Sequence, residues 1–313
     1  MGTMKIAFLF PGQGAQHVGM GKDIAAQSSV AAALFEKANT IVGYDLRQLC
    51  FDGPEEKLNA TTVSQPAIFV VTAAILDIVK KNRPELVADV TAGLSMGEYS
   101  ALYAAGLMTF EDTLRLVQKR GDAMQAAAEA SKGSMVSLLG LDEEKVRALC
   151  DEAAQGDLLK PVNFNCPGQI VISGSIDACK RAEQLAEKYG AMKAIPLAVA
   201  GAFHSSMMDP AARQLEQALA ACPIQTPSCP KVIANISADY YASADAIRQG
   251  LVQQLIAPIL WQKCMERLLA DGVETFYEMG PGRVLTGLMK RIHRRANVVN
   301  LSSWESLQAF LNA

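Results

Sequence analysis

Short apolar runs alternate with longer helical stretches through the first part of the chain. Residues 6–10 are five consecutive apolar residues that end at Pro11-Gly12, a pattern that predicts a buried β-strand followed by a loop. The other elements predicted here are helices over 30–42, 67–82 and 109–128 and a short buried strand over 90–92. Because strands that alternate with helices favour a parallel sheet, ligand sites are expected at the carboxyl ends of the strands.

The pattern changes between residues 134 and 199. Its predicted elements are a strand (135–139), a helix (143–154), a hairpin (162–165 and 169–173), a helix (178–189) and a strand (194–199). This β-α-β-β-α-β order is ferredoxin-like. After this region, short apolar runs at 232–236 and 273–279 again predict strands of the large α/β sheet. The sequence therefore predicts an α/β, hydrolase-like large subdomain with a parallel sheet (1-132 and 200-313) and an inserted ferredoxin-like small subdomain (133-199), with a cleft between them.

Composition narrows the class of protein. Half of the 313 residues are hydrophobic and the formal net charge is −3, which is typical of a soluble globular protein and gives no support for a nucleic-acid binder. No apolar run is expected to approach a membrane span. The seven cysteines are dispersed without CxxC or CxxH spacing, a pattern that indicates reduced thiols in a cytoplasmic protein and no zinc site.

A Gly-x-Ser-x-Gly motif centred on Ser95 lies between the strand over 90–92 and Ala-rich, helix-compatible sequence. Such a turn holds the serine in a strained backbone conformation and raises its hydroxyl above the sheet. Side chains at Gly93 and Gly97 would collide with the neighbouring backbone, and the helix N-terminus offers N–H groups to an oxyanion. The motif alone leaves a second interpretation open, a Gly-rich turn with a serine N-cap.

Three histidines are candidates for the base that a serine nucleophile needs. His293 lies among basic residues that suggest a solvated helix, and His17 follows the Gly-rich loop after the first strand. His204 follows an apolar strand and precedes Ser205-Ser206, so it lies on a loop at a strand end, where this fold class places catalytic groups. We favour His204, with a merely packed histidine as the alternative.

An acidic third member of a triad is harder to find. The acids between Ser95 and His204 lie mainly on predicted helices or in the small subdomain, as with Asp112, Asp142 and Asp177. None stands alone at a predicted strand end, which argues against an ordinary esterase. The sequence favours a Ser–His dyad whose histidine is oriented by a neutral acceptor.

Arg120 gives information about the substrate. Its neighbours three and four positions away on the helix over 109–128 are all apolar: Leu116, Val117, Ala123 and Met124. Arg120 is therefore expected on the inward face, without a local carboxylate. Because an unpaired buried guanidinium is costly, either a distant Asp or Glu pairs with it or it binds a substrate carboxylate.

Six motifs occur together in an order that we recognise. They are Phe10-Pro11-Gly12-Gln13-Gly14-Ala15-Gln16, Gly93-Leu94-Ser95-Met96-Gly97-Glu98-Tyr99, Arg120-Gly121, Asn165-Cys166-Pro167-Gly168-Gln169, Gly201-Ala202-Phe203-His204-Ser205 and Glu278-Met279-Gly280-Pro281-Gly282. Jointly they are highly specific and span nearly the whole chain. The chain resembles the family of malonyl-CoA:acyl carrier protein transacylases of bacterial fatty-acid synthesis and the acyltransferase domains of polyketide synthases.

The resemblance implies a ping-pong transfer of malonyl from malonyl-CoA to the phosphopantetheine thiol of acyl carrier protein. It implies that Ser95 is the nucleophile and His204 the general base and acid. The other implied roles are the oxyanion hole (backbone N–H of Gln13 and Met96), the carboxylate clamp (Arg120), malonyl preference (Phe203) and a carbonyl that orients the histidine (Gln254). The commoner turn is Gly-His-Ser-Leu-Gly, so Leu94 and Met96 depart from the pattern and are expected to affect pocket shape at most.

The resemblance also implies the partners. Acyl carrier protein and malonyl-CoA or CoA are the expected partners, and neither nucleic acid nor a membrane is expected. The enzyme is expected to need no cofactor or metal of its own. The protein is expected to be a cytoplasmic monomer. From Met279 to Trp304 there are basic residues but no Asp or Glu, which fits an acidic carrier or, equally, a solvated cationic helix. Two other functions stay open: a serine esterase or thioesterase, and a non-catalytic acyl-CoA or carrier-binding protein.

Overall fold

A computed structural model describes residues 5–313, so the first four residues of the predicted 1–132 segment lie outside the described residues. The strands are β1 (Lys5–Phe10), β2 (Val90–Gly93), β3 (Gly133–Leu139), β4 (Leu159–Cys166), β5 (Gln169–Ser175), β6 (Lys193–Pro196), β7 (Lys231–Val232), β8 (Val273–Met279) and β9 (Asn297–Leu301). The helices are α1 (Lys22–Gln27), α2 (Ser29–Val42), α3 (Leu46–Asp52), α4 (Glu55–Asn59), α5 (Thr61–Asn82), α6 (Gly97–Ala104), α7 (Phe110–Ala130), α8 (Glu143–Ala154), α9 (Ile176–Leu185), α10 (Asp209–Ala221), α11 (Ala244–Gln254), α12 (Trp261–Ala270), α13 (Val284–Ile292) and α14 (Trp304–Leu311).

The first sheet has the order β7-β2-β1-β8-β9, and all of its strand pairs are parallel. Along β1, Ala7 and Leu9 pack into one hydrophobic cluster and Phe8 and Phe10 into another, so both faces of the strand are covered. In the register of β1 with β2, Phe10 pairs with Gly93. The two strands therefore end side by side, and the loop after β1 lies against the turn that carries Ser95.

The second sheet has the order β4-β5-β3-β6 and is antiparallel throughout. Helices α8 and α9 pack against it over a separate hydrophobic cluster. The predicted fold class is confirmed: a parallel α/β sheet and a small β-α-β-β-α-β unit occur in one chain. The four strands of the small unit lie within 133–199, but the exact subdomain boundaries stay a prediction.

Elements of both sheets differ in extent from the sequence prediction. β7 has two residues instead of the predicted 232–236, because the chain enters a turn at Asn235 whose two sides meet in the antiparallel bridge between Ile233 and Tyr240. β9 was not predicted, since this edge strand buries only Leu301 fully and its apolar pattern is weak. In the small unit, α9 ends at Leu185 and β6 at Pro196, both before the predicted ends at 189 and 199.

Helix α5 begins at Thr61, and Pro66 lies inside it, although the sequence predicted that Ser64-Gln65-Pro66 would only open the helix. Pro66 has no N–H to donate to the carbonyl of Thr62, and the hydroxyl of Tyr44 donates to that carbonyl instead, at 3.4 Å. α5 is also long and apolar enough to cross a membrane, which corrects the expectation that no run approaches that length. Its most apolar window is 83% buried within the protein, as in a core helix.

Candidate active site

Ser95 occupies a strained turn between β2 and α6. Its φ is +51°, a left-handed conformation that is uncommon for a residue other than glycine. A Cβ at Gly93 would collide with the backbone of Gly97, and a Cβ at Gly97 would collide with the carbonyl oxygen of Phe10. The predicted strain and both predicted collisions are therefore confirmed, and the turn can pack this closely only with glycine at these two positions.

Asn235, in the turn that follows the neighbouring strand β7, holds the backbone of the Ser95 turn. Its Oδ1 accepts a hydrogen bond from the Ser95 N–H at 2.7 Å, and its Nδ2 donates to the Gly93 carbonyl at 2.8 Å. Asn235 is fully buried just after β7. One amide side chain thus replaces the hydrogen bonds that the strained turn cannot make with itself.

His204 is the histidine that the structure places beside Ser95. Its Nε2 lies 2.9 Å from Ser95 Oγ, and its Nδ1 lies 2.7 Å from the backbone carbonyl oxygen of Gln254. Because a carbonyl can only accept, Nδ1 carries the proton and Nε2 presents its lone pair to the serine hydroxyl. Within residues 5–313, neither His17 nor His293 forms a hydrogen bond with Ser95.

The surroundings of His204 keep its imidazole neutral. Burial and the positive charge of Arg120 lower the pKa of His204 to about 4, although its hydrogen bond to the Gln254 carbonyl acts in the opposite direction. His204 is only 5% exposed, and its φ of +59° makes it a second strained residue at the site. A neutral, fixed imidazole is the form that can accept a proton from a hydroxyl.

The Arg120 side chain extends from α7 to Ser95 and is 1% exposed. One terminal nitrogen donates to Gln65 Oε1 at 2.7 Å, and the other donates to Ser95 Oγ and to Gln254 Oε1, each at 3.0 Å. Its Nε has no hydrogen-bond partner, and its guanidinium carbon lies 5.5 Å from the ring centre of Tyr99. Among the described residues no carboxylate forms an ion pair with Arg120, so its direct partners are all uncharged.

Two backbone N–H groups near Ser95 are available to a ligand. In the described part of the chain, neither the N–H of Gln13 nor that of Met96 donates a hydrogen bond to the protein. Gln13 follows β1, and its side chain is turned toward Thr61 Oγ1 at 3.4 Å. Met96 caps α6, so its N–H belongs to the positive end of that helix. Such groups can stabilise an oxyanion formed next to Ser95.

Gln13, Ser95, Arg120 and His204 line a cleft of about 510 Å³ between the two sheets. Ser95, Arg120, Phe203 and His204 contribute from the large unit, and β3, β4 and β5 contribute the opposite wall. Phe203 is 5% exposed and fills space directly beside His204. The site brings together a nucleophile, a base, a buried cation and free N–H groups. This set of groups can transfer an acyl group, and the cation can bind an acyl group that carries a carboxylate.

Sequence reasoning missed Glu98, which follows the serine motif directly. Glu98 is fully buried and accepts hydrogen bonds from Gln254 Nε2 at 2.8 Å, from the Asn235 N–H at 3.1 Å and from the hydroxyl of Tyr241. Glu98 lies in the first turn of α6, away from the strand ends where a catalytic acid is expected. The sequence did contain one indication of its burial, because Glu98 is the acidic residue next to the Ala-rich, largely apolar sequence that follows Gly97.

Comparison with known proteins identifies the family to which the chain belongs. The model of the acyl transferase domain family matches residues 7–305. The malonyl CoA-acyl carrier protein transacylase of Bacillus subtilis (strain 168) is 43% identical over 305 residues, 97% of this chain and 95% of the relative.

Solved structures agree with this relationship. The malonyl CoA-acyl carrier protein transacylase of Coxiella burnetii superposes with a TM-score of 0.95 at 35% identity, covering 99% of this chain and 97% of that one. A malonyl-transacylase solved in complex with a type II PKS acyl-carrier protein superposes with a TM-score of 0.94 at 40% identity, covering 98% and 99%.

Proposed function

The chain belongs to the acyl transferase domain family and is an acyltransferase, and we propose that it transfers malonyl from malonyl-CoA to the phosphopantetheine thiol of acyl carrier protein. The names of its relatives support the substrate and the acceptor, and one of the solved relatives is bound to an acyl carrier protein. The observation that best supports the proposal is the position of the buried Arg120, which lies within hydrogen-bonding distance of Ser95 Oγ.

In the first half-reaction, Ser95 Oγ attacks the thioester carbonyl of malonyl-CoA while its proton passes to His204 Nε2. The new oxyanion accepts hydrogen bonds from the N–H groups of Gln13 and Met96. When the tetrahedral intermediate collapses, the C–S bond breaks and the CoA sulfur takes the proton from His204. The products are free CoA and a malonyl ester of Ser95.

The second half-reaction reverses this order with a new thiol. The phosphopantetheine thiol of the carrier gives its proton to His204, and its sulfur attacks the ester carbonyl. Collapse breaks the bond to Ser95 Oγ, which recovers the proton from His204. Gln254 holds the imidazole in one tautomer throughout, because its carbonyl accepts the Nδ1 proton at 2.7 Å.

Arg120 selects the acyl group in this proposal. Its direct partners are neutral oxygens, so a malonyl carboxylate can replace or supplement them with a charge-assisted, bidentate interaction. One terminal nitrogen already lies 3.0 Å from Ser95 Oγ, so a carboxylate held there is near the reacting carbonyl. Phe203 restricts the space beside His204 and is proposed to disfavour branched malonyl groups.

The carrier is proposed to approach along α13. This helix contributes Val284 and Leu288 to the cleft. The basic residues in and around it are Arg283, Lys290, Arg291, Arg294 and Arg295. An acidic carrier would be attracted to this end of the cleft, and its phosphopantetheine arm could then enter it.

The pH dependence of acylation follows from the environment of His204. Its pKa is lowered to about 4, so the neutral base persists at pH values where an ordinary histidine is protonated. At saturating malonyl-CoA, the rate of malonyl-enzyme formation should stay constant as the pH falls through ~6.5 and decline only toward the lowered pKa. Quench-flow with mass spectrometry measures this rate. A decline centred near the ordinary histidine pKa would contradict the account.

The acceptor is tested with radiolabelled malonyl-CoA and holo acyl carrier protein. We expect label on the carrier and much slower release of free malonate. Malonate release without carrier acylation would instead identify a thioesterase. Retention of unreacted malonyl-CoA on the protein would indicate a binding protein without catalysis.

A further inference from the structure

Glu98 is a buried carboxylate beneath the Ser95 turn that the reaction steps above do not use. Its Oε2 accepts from Gln254 Nε2 and the Asn235 N–H, and its Oε1 accepts from the Tyr241 hydroxyl. Within residues 5–313, no Lys, Arg or His forms an ion pair with it. A fully buried carboxylate without a direct cation is costly, so a compensating charge is expected close by.

The Gln254 side chain connects Glu98 to that charge. Its Oε1 accepts from Arg120 at 3.0 Å, and its Nε2 donates to Glu98 at 2.8 Å. Nε2 also donates to the Ser95 carbonyl at 3.1 Å, which fixes the orientation of the amide. A single amide dipole therefore lies between cation and anion, with its oxygen toward the positive charge and its nitrogen toward the negative charge. This arrangement is most favourable when both charges are present.

We propose that Glu98 is a positioning residue that balances the charge of Arg120 through Gln254 and thereby limits how tightly the site holds a carboxylated acyl group. The inference rests on the proposed function, because it assumes that Arg120 receives the malonyl carboxylate. A guanidinium with no counter-charge would bind that carboxylate too tightly for efficient transfer onward. With Glu98 ionised, the incoming carboxylate meets a second negative charge close to its binding site, and its affinity is reduced.

The groups that face Glu98 leave Arg120 as its main electrostatic partner. Burial raises the pKa of Tyr99, Tyr241 and Cys264, so these side chains stay uncharged near neutrality. His204 is neutral there as well, because its pKa is lowered to about 4. Burial raises the pKa of Glu98 to about 7, against the hydrogen bonds it accepts and the charge of Arg120.

The protonation state of Glu98 should control how tightly malonyl binds. Below its raised pKa Glu98 is protonated and Arg120 is unbalanced, so malonyl should bind more tightly. Above that pKa Glu98 is ionised and malonyl should bind more weakly. An acyl group without a carboxylate, such as acetyl, should not share this dependence.

The direct test is a Glu98→Gln exchange made in a Ser95→Ala background, where ligands bind but cannot react. The glutamine can keep its oxygen toward Gln254 and Asn235 and donate its amide to the Tyr241 hydroxyl, which can rotate to accept. Calorimetry at about pH 8.5 should show about tenfold tighter binding of malonyl-CoA and at most about a twofold change for acetyl-CoA. Unchanged or weaker malonyl-CoA binding would overturn the inference.

Glu278→Gln in the same background is the matched control. Glu278 is also buried, and it accepts from the N–H groups of Leu285 and Thr286 at the start of α13, each at 2.8 Å. Its exchange should lower stability without changing the malonyl-to-acetyl affinity ratio. A selective gain of equal size in Glu278→Gln would show that the effect is not specific to Glu98, and would also overturn the inference.

A second measurement needs no change at Glu98. In the Ser95→Ala protein alone, the ratio of malonyl-CoA to acetyl-CoA affinity should rise as the pH is lowered from about 8.5 to about 6. A ratio that does not change with pH would contradict the inference. Acylation of the wild-type protein by malonyl-CoA is measured in parallel: its absence would refute the proposed function itself, whereas its presence with a constant ratio would refute only the role of Glu98.

Discussion

Replacing His204 with alanine should slow malonyl-enzyme formation by about 10³-fold or more, within the range typical for loss of a positioned general base. The exchange removes the acceptor that lies 2.9 Å from Ser95 Oγ. Ser95 would keep its hydrogen bond from Arg120, and the free N–H groups of Gln13 and Met96 would remain. Binding of malonyl-CoA should therefore be nearly unchanged, and the loss should fall on kcat.

Two further variants make this result interpretable. His204 has a φ of +59°, where alanine is strained, so His204→Asn is made in parallel because asparagine tolerates this backbone and cannot act as the base. His17→Ala is the control, since His17 is exposed and its ring lies within hydrogen-bonding distance of the carbonyl of its neighbour Val18. Quench-flow rates within about tenfold of wild type for folded His204→Asn would show that another group removes the proton.

Replacing Arg120 with alanine should lower malonyl transfer by about 10²-fold or more, because a buried charge-assisted contact is worth about 2–5 kcal/mol. The same variant should transfer acetyl about as well as the wild type does, or better, so that the preference for malonyl is lost. The exchange also leaves the Oε1 atoms of Gln65 and Gln254 without their donor, and leaves Glu98 without the charge it faces through Gln254.

Measuring both malonyl and acetyl transfer separates a loss of specificity from damage to the fold, because damage to the fold would lower both rates. Arg115→Ala on the exposed side of the same helix is the control and should preserve both rates within about twofold. Arg120→Lys keeps the charge but loses the planar pair of donors, so it should recover only part of the malonyl rate. A folded Arg120→Ala protein that still prefers malonyl over acetyl would refute the role of Arg120 as the carboxylate clamp.

Local patterns were sufficient to locate the central chemistry. Ser95 was found because its motif links a buried strand to a helix. His204 was favoured because few histidines exist and because it was predicted to lie at the end of a strand, where this fold class places catalytic groups. β6 ends at Pro196 in the antiparallel sheet, so this second reason was wrong, although His204 does lie beside Ser95. Arg120 was found because its helical neighbours are apolar, which predicted the burial that the structure shows. Each of these inferences depends on residues that are close together in sequence, where periodicity and turn chemistry decide the geometry.

The remaining features depend on contacts between distant segments. Gln254 orients His204 through a backbone carbonyl, which every residue possesses, so only the family resemblance indicated it. Glu98 and Asn235 are linked across 137 positions of sequence, and no local pattern predicts that hydrogen bond. The Thr62 carbonyl, which Pro66 cannot satisfy, likewise accepts from the hydroxyl of Tyr44 in a distant part of the chain.

The central claim is that Ser95 carries the malonyl group between the two thiols, and intact-mass spectrometry tests it most directly. The protein is mixed with malonyl-CoA, its mass is measured and the modified peptide is mapped, before and after holo acyl carrier protein is added. The account predicts one adduct of malonyl mass on Ser95, absent in Ser95→Ala, which disappears as the carrier gains the same mass. No adduct, an adduct on another residue, or one that persists when the carrier is added would contradict it.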